Sequence, residues 1–113
     1  MKYIEVNVGT FSESIPITSH PSNPCNQHNK GFVYFVTDGD AVKIGKAVDV
    51  KQRISSIKVN NPREIIELQS IPTSDMGQIE RSLHEWFDNY HIRGEWFDLL
   101  PLFELDKATL KGE

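Results

Sequence analysis

Five side chains have types that suit phosphoryl chemistry: Tyr34, Lys43, Arg53, Glu80 and His84. Breaking a phosphodiester needs an activated water, charge stabilisation at phosphorus and relief for the leaving oxygen. A carboxylate with a metal ion, a cation and a base can supply these. The fixed fork of Arg53 suits phosphate oxygens, and it suits equally an i, i+4 pair with Asp49. Glu80 and His84 stand four apart, which places them on one helical face; the same spacing is common in ordinary surface pairs. The zinc-protease pattern His-Glu-x-x-His is absent. Tyr34 is either a site phenol or a strand tyrosine packed in the core. As a base it needs nearby positive charge, because an unperturbed phenol titrates near ~10.

Charge is distributed unevenly around these residues. The chain has a formal net charge of −4. Between residues 43 and 63, Lys43, Lys46, Lys51, Arg53, Lys58 and Arg63 face Asp49 alone, a local +5 that leaves −9 elsewhere. A basic island on an acidic body is what a phosphate-facing groove needs, and also what an ordinary solvated helix face presents.

The elements that must position these residues follow from local pattern. Phe32 to Val36 and Ala41 to Ile44 alternate around Asp38-Gly39-Asp40, a hairpin signal. Asp49 stands at a helix N-cap, with Val50, Ile54 and Ile57 as the buried stripe and Asn60-Asn61-Pro62 as the stop. Gly45 lets the backbone turn closely before that helix. Arg63 to Ile71, between two prolines, reads as a third strand. Thr73, Ser74 and Asp75 offer caps for a long second helix. Its stripe is Met76, Ile79, Leu83, Trp86, Phe87 and Tyr90, and Gly94 serves as its stop. Glu95 to Leu99 is a short strand or extended return, and Leu102 to Leu110 a terminal helix behind Pro101. The fold expected is α+β: a small, mainly antiparallel three-stranded sheet flanked by helices.

Residues 1–30 form an N-terminal extension. Tyr3 to Val8 alternates as a strand, with Ser14 to Thr18 as a short second one across Gly9-Thr10. Ser19 to Lys30 reads as an exposed arm that adds an edge strand, covers the core, or mediates contact with a second copy or a partner protein. His20, Cys25 and His28 lie in the arm, but their spacing fits no standard zinc site. The single cysteine precludes an internal disulfide and suits a reducing cytoplasm. No apolar run approaches the ~20 residues of a membrane span, and no signal-peptide stretch is present.

Several of these residues together carry a resemblance. Val33-Tyr34, Lys43-Ile44-Gly45, Arg53, Glu80 with His84, and Gly94-Glu95-Trp96-Phe97 resemble, in order, the motifs of the GIY-YIG nuclease superfamily. More narrowly they resemble its small phage, bacterial and fungal branch with a KIG second triplet. The likeness spans about Gly31 to Asp98, so residues 31–98 are taken as the core and 99–113 as a C-terminal helix and tail. It implies a three-stranded core and one-metal hydrolysis of DNA. Tyr34 would orient or deprotonate the water, Arg53 and Lys43 would stabilise charge, and Glu80 would hold one Mg²⁺ or Mn²⁺. His84 would bind phosphate or orient a water. Lys43 replaces the second tyrosine of the more familiar pattern. Lys46, Lys51, Lys58 and Arg63 are candidate DNA contacts, and Glu95 a group behind the site. The alternative is a catalytically weak or inactive nuclease-fold module that binds nucleic acid or a partner protein.

Overall fold

The computed structural model describes residues 3–20, 30–61 and 63–105. The element order is β1 (Tyr3–Val8), β2 (Phe11–Pro16), β3 (Gly31–Thr37), β4 (Val42–Ala47), α1 (Val50–Val59), β5 (Ile66–Thr73), α2 (Met76–Trp86), a 3-10 turn (Asp88–Tyr90), β6 (His91–Arg93), β7 (Trp96–Phe97) and α3 (Leu100–Phe103). β1 and β2 form a separate two-stranded hairpin, and the other strands form one sheet in the order β5-β3-β4-β7-β6. All its pairings are antiparallel. The α+β class is therefore as the sequence suggests, with five strands in the main sheet where three were expected. Of the two additional strands, β7 falls within the Glu95–Leu99 stretch read as a short strand or return, and β6, three residues long, is too short to leave an alternating pattern.

The β3–β4 turn is built by side chains as well as by Gly39, whose φ of 97° is closed to most residues. Asp38 Oδ1 accepts from the backbone N–H groups of Asp40 and Ala41 at 2.9 and 3.0 Å. Thr37, fully buried, donates its hydroxyl to the Ala41 carbonyl at 2.7 Å. These bonds fix the register that sets Tyr34 directly opposite Gly45.

β3 is buried on both faces, which is why its alternation alone did not tell inside from outside. Val33 and Phe35 meet Val42 and Ile44 on one face, under α2 (Ile79, Leu83, Phe87), the hairpin (Ile4, Val6, Val8, Ile15) and α3 (Leu100, Phe103). Tyr34 and Val36 point to the other face, under α1 through Ile54 with Val50 and Ile57. The hairpin is thus a core-covering element. Of the arm, Thr18 and Ser19 donate their N–H groups to Ser82 Oγ on α2 at 3.2 and 3.1 Å, and residues 21–29 lie outside the described part.

Both helices begin at the expected aspartates. Asp49 accepts from Gln52 N–H and Asp75 from Gln78 N–H, each at 3.1 Å. Other boundaries differ. α2 ends at Trp86, and Gly94, with φ 53°, serves the β6–β7 turn eight residues later. Trp86 and Tyr90 stand out from the apolar stripe, 46 % and 40 % exposed. β5 runs through Pro72, which pairs opposite Phe32; β5 is the sheet edge, where a missing N–H costs little. Gly45 lies inside β4, not at a turn. α3 is a four-residue helix; residues 106–110 of the expected terminal helix lie outside the described part, as do 111–113 and Pro62.

Candidate active site

The candidate residues meet at the end of β4 where sheet pairing runs out. β7 pairs with β4 only at Val42↔Phe97 and Lys43↔Trp96. One further backbone bond, Ile44 N–H to the Glu95 carbonyl at 2.9 Å, holds Glu95 beside the strand. Gly94 then turns the chain away, its carbonyl accepting from His91 Nε2 at 2.9 Å. From Gly45 onward this side of β4 has no partner strand among the described residues.

Tyr34 faces this notch from β3. Its ring lies across its strand partner so closely that a Cβ on Gly45 would sit 2.5 Å from the phenolic oxygen and 2.6 Å from Cζ. The glycine of the Lys-Ile-Gly triplet is thus required by the tyrosine, whose tip occupies the space of a side chain. Tyr34 is only 2 % exposed, and burial first, then the Glu95 carboxylate, push its phenol up to about 12. Arg53, exposed on α1, opposes this, and Glu80 adds to it. One phenol therefore feels Glu95, Arg53 and Glu80, drawn from the β6–β7 turn, α1 and α2.

Glu80 enters from the α2 layer, between Ile79 and Ser82, and is 8 % exposed. Its Oε1 lies 3.5 Å from Lys46 Nζ, while Oε2 is buried with no hydrogen-bond partner. Burial and then the neighbouring Glu95 carboxylate hold its carboxyl above the usual range, against the pull of Lys46 and His84. The carboxyls of Glu80 and Glu95 come within hydrogen-bonding reach of each other. With both ionised, neither can donate, so the pair calls for a proton or a cation between them.

The lysines of β4 are engaged. Lys43 Nζ is 3.0 Å from Glu95 Oε1 and 5.7 Å from the Trp96 ring centroid. His84 donates from Nε2 to the Ile44 carbonyl at 3.0 Å, which fixes its tautomer, and packs edge-on against Phe97. Arg63 pairs with Asp40. The basic island is thus half neutralised by acids from outside it. Lys51, Arg53 and Lys58, exposed along α1, form no salt bridge with any described residue.

Of the candidates, Tyr34, Arg53, Glu80, Lys43, Lys46 and His84 come together around this notch. Lys51 and Lys58 sit on the adjoining helix and Arg63 beyond it. Glu95 is the residue the sequence reading undervalued: it touches Lys43, acts on Tyr34 and lies against Glu80. The signal was its place one residue before the strand that pairs with Lys43. Among the described residues no three His, Cys, Asp or Glu side chains form a metal-binding group; Cys25 and His28 lie outside them. Two carboxylates with a free buried oxygen are, however, the donor set for a hard cation that keeps most of its waters. Cavities of about 430 Å³ (between β1 and β5) and 570 Å³ (beside Phe32, Val48 and Pro72) contain none of these groups.

Fold and notch together define a small α+β domain with a polar site at an open strand end, sandwiched between helical layers. The chain belongs to the T5orf172 domain family, whose sequence model matches residues 31–111. Comparison with curated proteins gives no significant match, and comparison with solved structures gives none either. No helix among the described residues is long and apolar enough to cross a membrane.

Proposed function

We propose that this domain is a metal-dependent DNA endonuclease of the GIY-YIG type, hydrolysing phosphodiesters at the β4 notch. The observation that carries this reading is the unpartnered, buried Oε2 of Glu80, set beside a second carboxylate and within electrostatic reach of Tyr34, on which Arg53 also acts. Such an arrangement is costly to folding and is kept where chemistry needs it. The ordered motifs from Val33 to Phe97 support the same reading.

Glu80 would hold one Mg²⁺ or Mn²⁺, which when bound supplies Lewis acidity at the phosphoryl oxygens and relief for the leaving oxygen. Arg53, exposed and without a described salt bridge, offers its fork to the phosphate. With its pKa at about 12, Tyr34 is protonated at neutral pH and orients the attacking water as a hydrogen-bond donor. Neutralising Glu80 and Glu95 removes two of the three influences that raise it, which moves it toward use as a base. Lys51 and Lys58 extend the positive face along α1 for the DNA backbone, and Arg63 and Lys46 lie at its margins.

Plasmid cleavage with Mg²⁺ or Mn²⁺ tests this. The parent should nick DNA, and Glu80→Ala and Arg53→Ala should each lose about 10²-fold or more, the usual scale for removing one charge-stabilising group. Cleavage unchanged in both variants would mean that the activity is not from this site. A second reading, a module that binds nucleic acid or a partner protein without cutting it, is favoured by one observation: Tyr34 is almost entirely covered. Retained DNA binding with no cleavage by the parent would select it.

A further inference from the structure

We propose that Glu95 is a second ligand of the cation held by Glu80, and that Lys43 is the internal counter-ion occupying that carboxylate until the cation arrives. The inference rests on the metal reading above and extends it from one carboxylate to two.

Three geometric facts carry it. Glu95 is not on a free loop: its carbonyl accepts from Ile44 N–H at 2.9 Å, and the next residue, Trp96, is paired with Lys43. Its backbone is therefore held as firmly as a strand residue, which a ligand requires. Its carboxyl lies within hydrogen-bonding reach of the Glu80 carboxyl, although neither ionised group can donate to the other. Glu80 is more than nine-tenths buried, and its Oε2 has no partner. Ile44 ties the two sides together: its N–H donates to the Glu95 carbonyl, and its own carbonyl accepts from His84 Nε2, one helical turn after Glu80. A buried acceptor without a donor, near a second acceptor, is satisfied by a cation shared between them.

The lysines fit this arrangement. Each carboxylate has one ammonium beside it: Lys43 on Glu95 at 3.0 Å and Lys46 on Glu80 at 3.5 Å. Lys43 is the closer, and it lies over the Trp96 ring, a resting place it keeps when the carboxylate turns to another cation. Binding the ion then frees an ammonium at the site for phosphate oxygens. The charge is exchanged, not added, so the notch need not collect several cations before substrate binds.

The test is Mn²⁺ binding followed by electron paramagnetic resonance, with the free-ion signal titrated against parent, Glu80→Gln, Glu95→Gln and Lys43→Met. The substitutions keep side-chain size, and thermal unfolding without metal checks that each variant folds. The parent should bind one ion, Glu80→Gln and Glu95→Gln should each weaken binding about tenfold or more, and Lys43→Met should tighten it several-fold by removing the competing ammonium. Weakening in Glu80→Gln with parent-like binding in Glu95→Gln and Lys43→Met would overturn the second ligand and leave the Glu80 site intact. No Mn²⁺ binding by the folded parent would overturn both.

Discussion

Gly45→Ala is a small change with a sign that depends on one contact. In a strand, replacing glycine by alanine ordinarily stabilises by about 0.5–1 kcal/mol, because glycine has more backbone freedom to lose. Here the new methyl would lie 2.5 Å from the Tyr34 hydroxyl oxygen, 2.6 Å from Cζ and 3.1 Å from Cε1, so no rotation of the hydroxyl alone clears it. The ring must shift bodily. Tyr34 is 2 % exposed and shares its cluster with Val36, Ala47, Ile54 and Ile65, so the shift disturbs the α1 layer. Overpacking of this kind costs about 1–3 kcal/mol, which outweighs the backbone gain, and Gly45→Ala should destabilise by about 1–2 kcal/mol. In a Tyr34→Leu background the methyl has room and the same substitution should be neutral or mildly stabilising. Urea unfolding of the four proteins gives the coupling, expected at about 1.5–3 kcal/mol with unchanged denaturant slopes. An equal effect of Gly45→Ala in both backgrounds, or a stabilising effect in the parent, would refute the argument that Tyr34 dictates the glycine.

Glu80→Gln should raise the thermal midpoint at neutral pH. The folded-state pKa of Glu80 is raised, so the folded chain holds its proton more firmly than the unfolded chain, and stability falls as pH rises from the ordinary value of 4.5 through the raised one. The parent should lose stability relative to Glu80→Gln across that window in metal-free buffer; parallel pH profiles would contradict the assigned burial and the Glu95 contact. Asp49→Ala should cost about 1 kcal/mol through the lost cap on Gln52 N–H, measured by thermal unfolding, and under the proposed function should weaken DNA cleavage by loosening the helix that carries Arg53.

What was legible in the sequence divides by the range of the interaction. Caps and tight turns are local, and Asp49, Asp75 and Asp38-Gly39 stand where their side-chain chemistry puts them. The α2 stripe was legible through Ile79, Leu83 and Phe87 and failed at Trp86, the last helical residue, which turns to solvent, and at Tyr90, which lies beyond the helix where its period no longer applies. Gly94 misled for a related reason: a positive-φ glycine ends a helix or makes a hairpin turn equally well, and only the pairing of β6 with β7 decides. Pro72 marked no boundary, since an edge strand tolerates it and nothing local says which strand will be the edge. The candidate residues stand in the sequence as an ordered set, but their ion pairs do not show there. Lys43 with Glu95, and Lys46 with Glu80, are separated by more than thirty residues and meet only through the sheet.

The same separation bears on why the site sits where it does. A sheet interior satisfies its own backbone and leaves no room for a phosphate, while a full edge invites pairing with another chain. The end of β4 is intermediate: β7 and the Glu95 carbonyl cover part of it, and His84 takes the Ile44 carbonyl at 3.0 Å. What remains is a short open stretch beginning at Gly45, where the missing side chain has already been given over to the Tyr34 phenol. Two carboxylates can approach there because each brings a lysine from β4 itself, Lys43 and Lys46, three residues apart on a rigid strand. Truncating β7 by turning it away at Gly94 is thus what lets Glu95 face the notch. A substitution that extended the β4–β7 pairing would draw Glu95 into the sheet and close the gap that α2 reaches with Glu80.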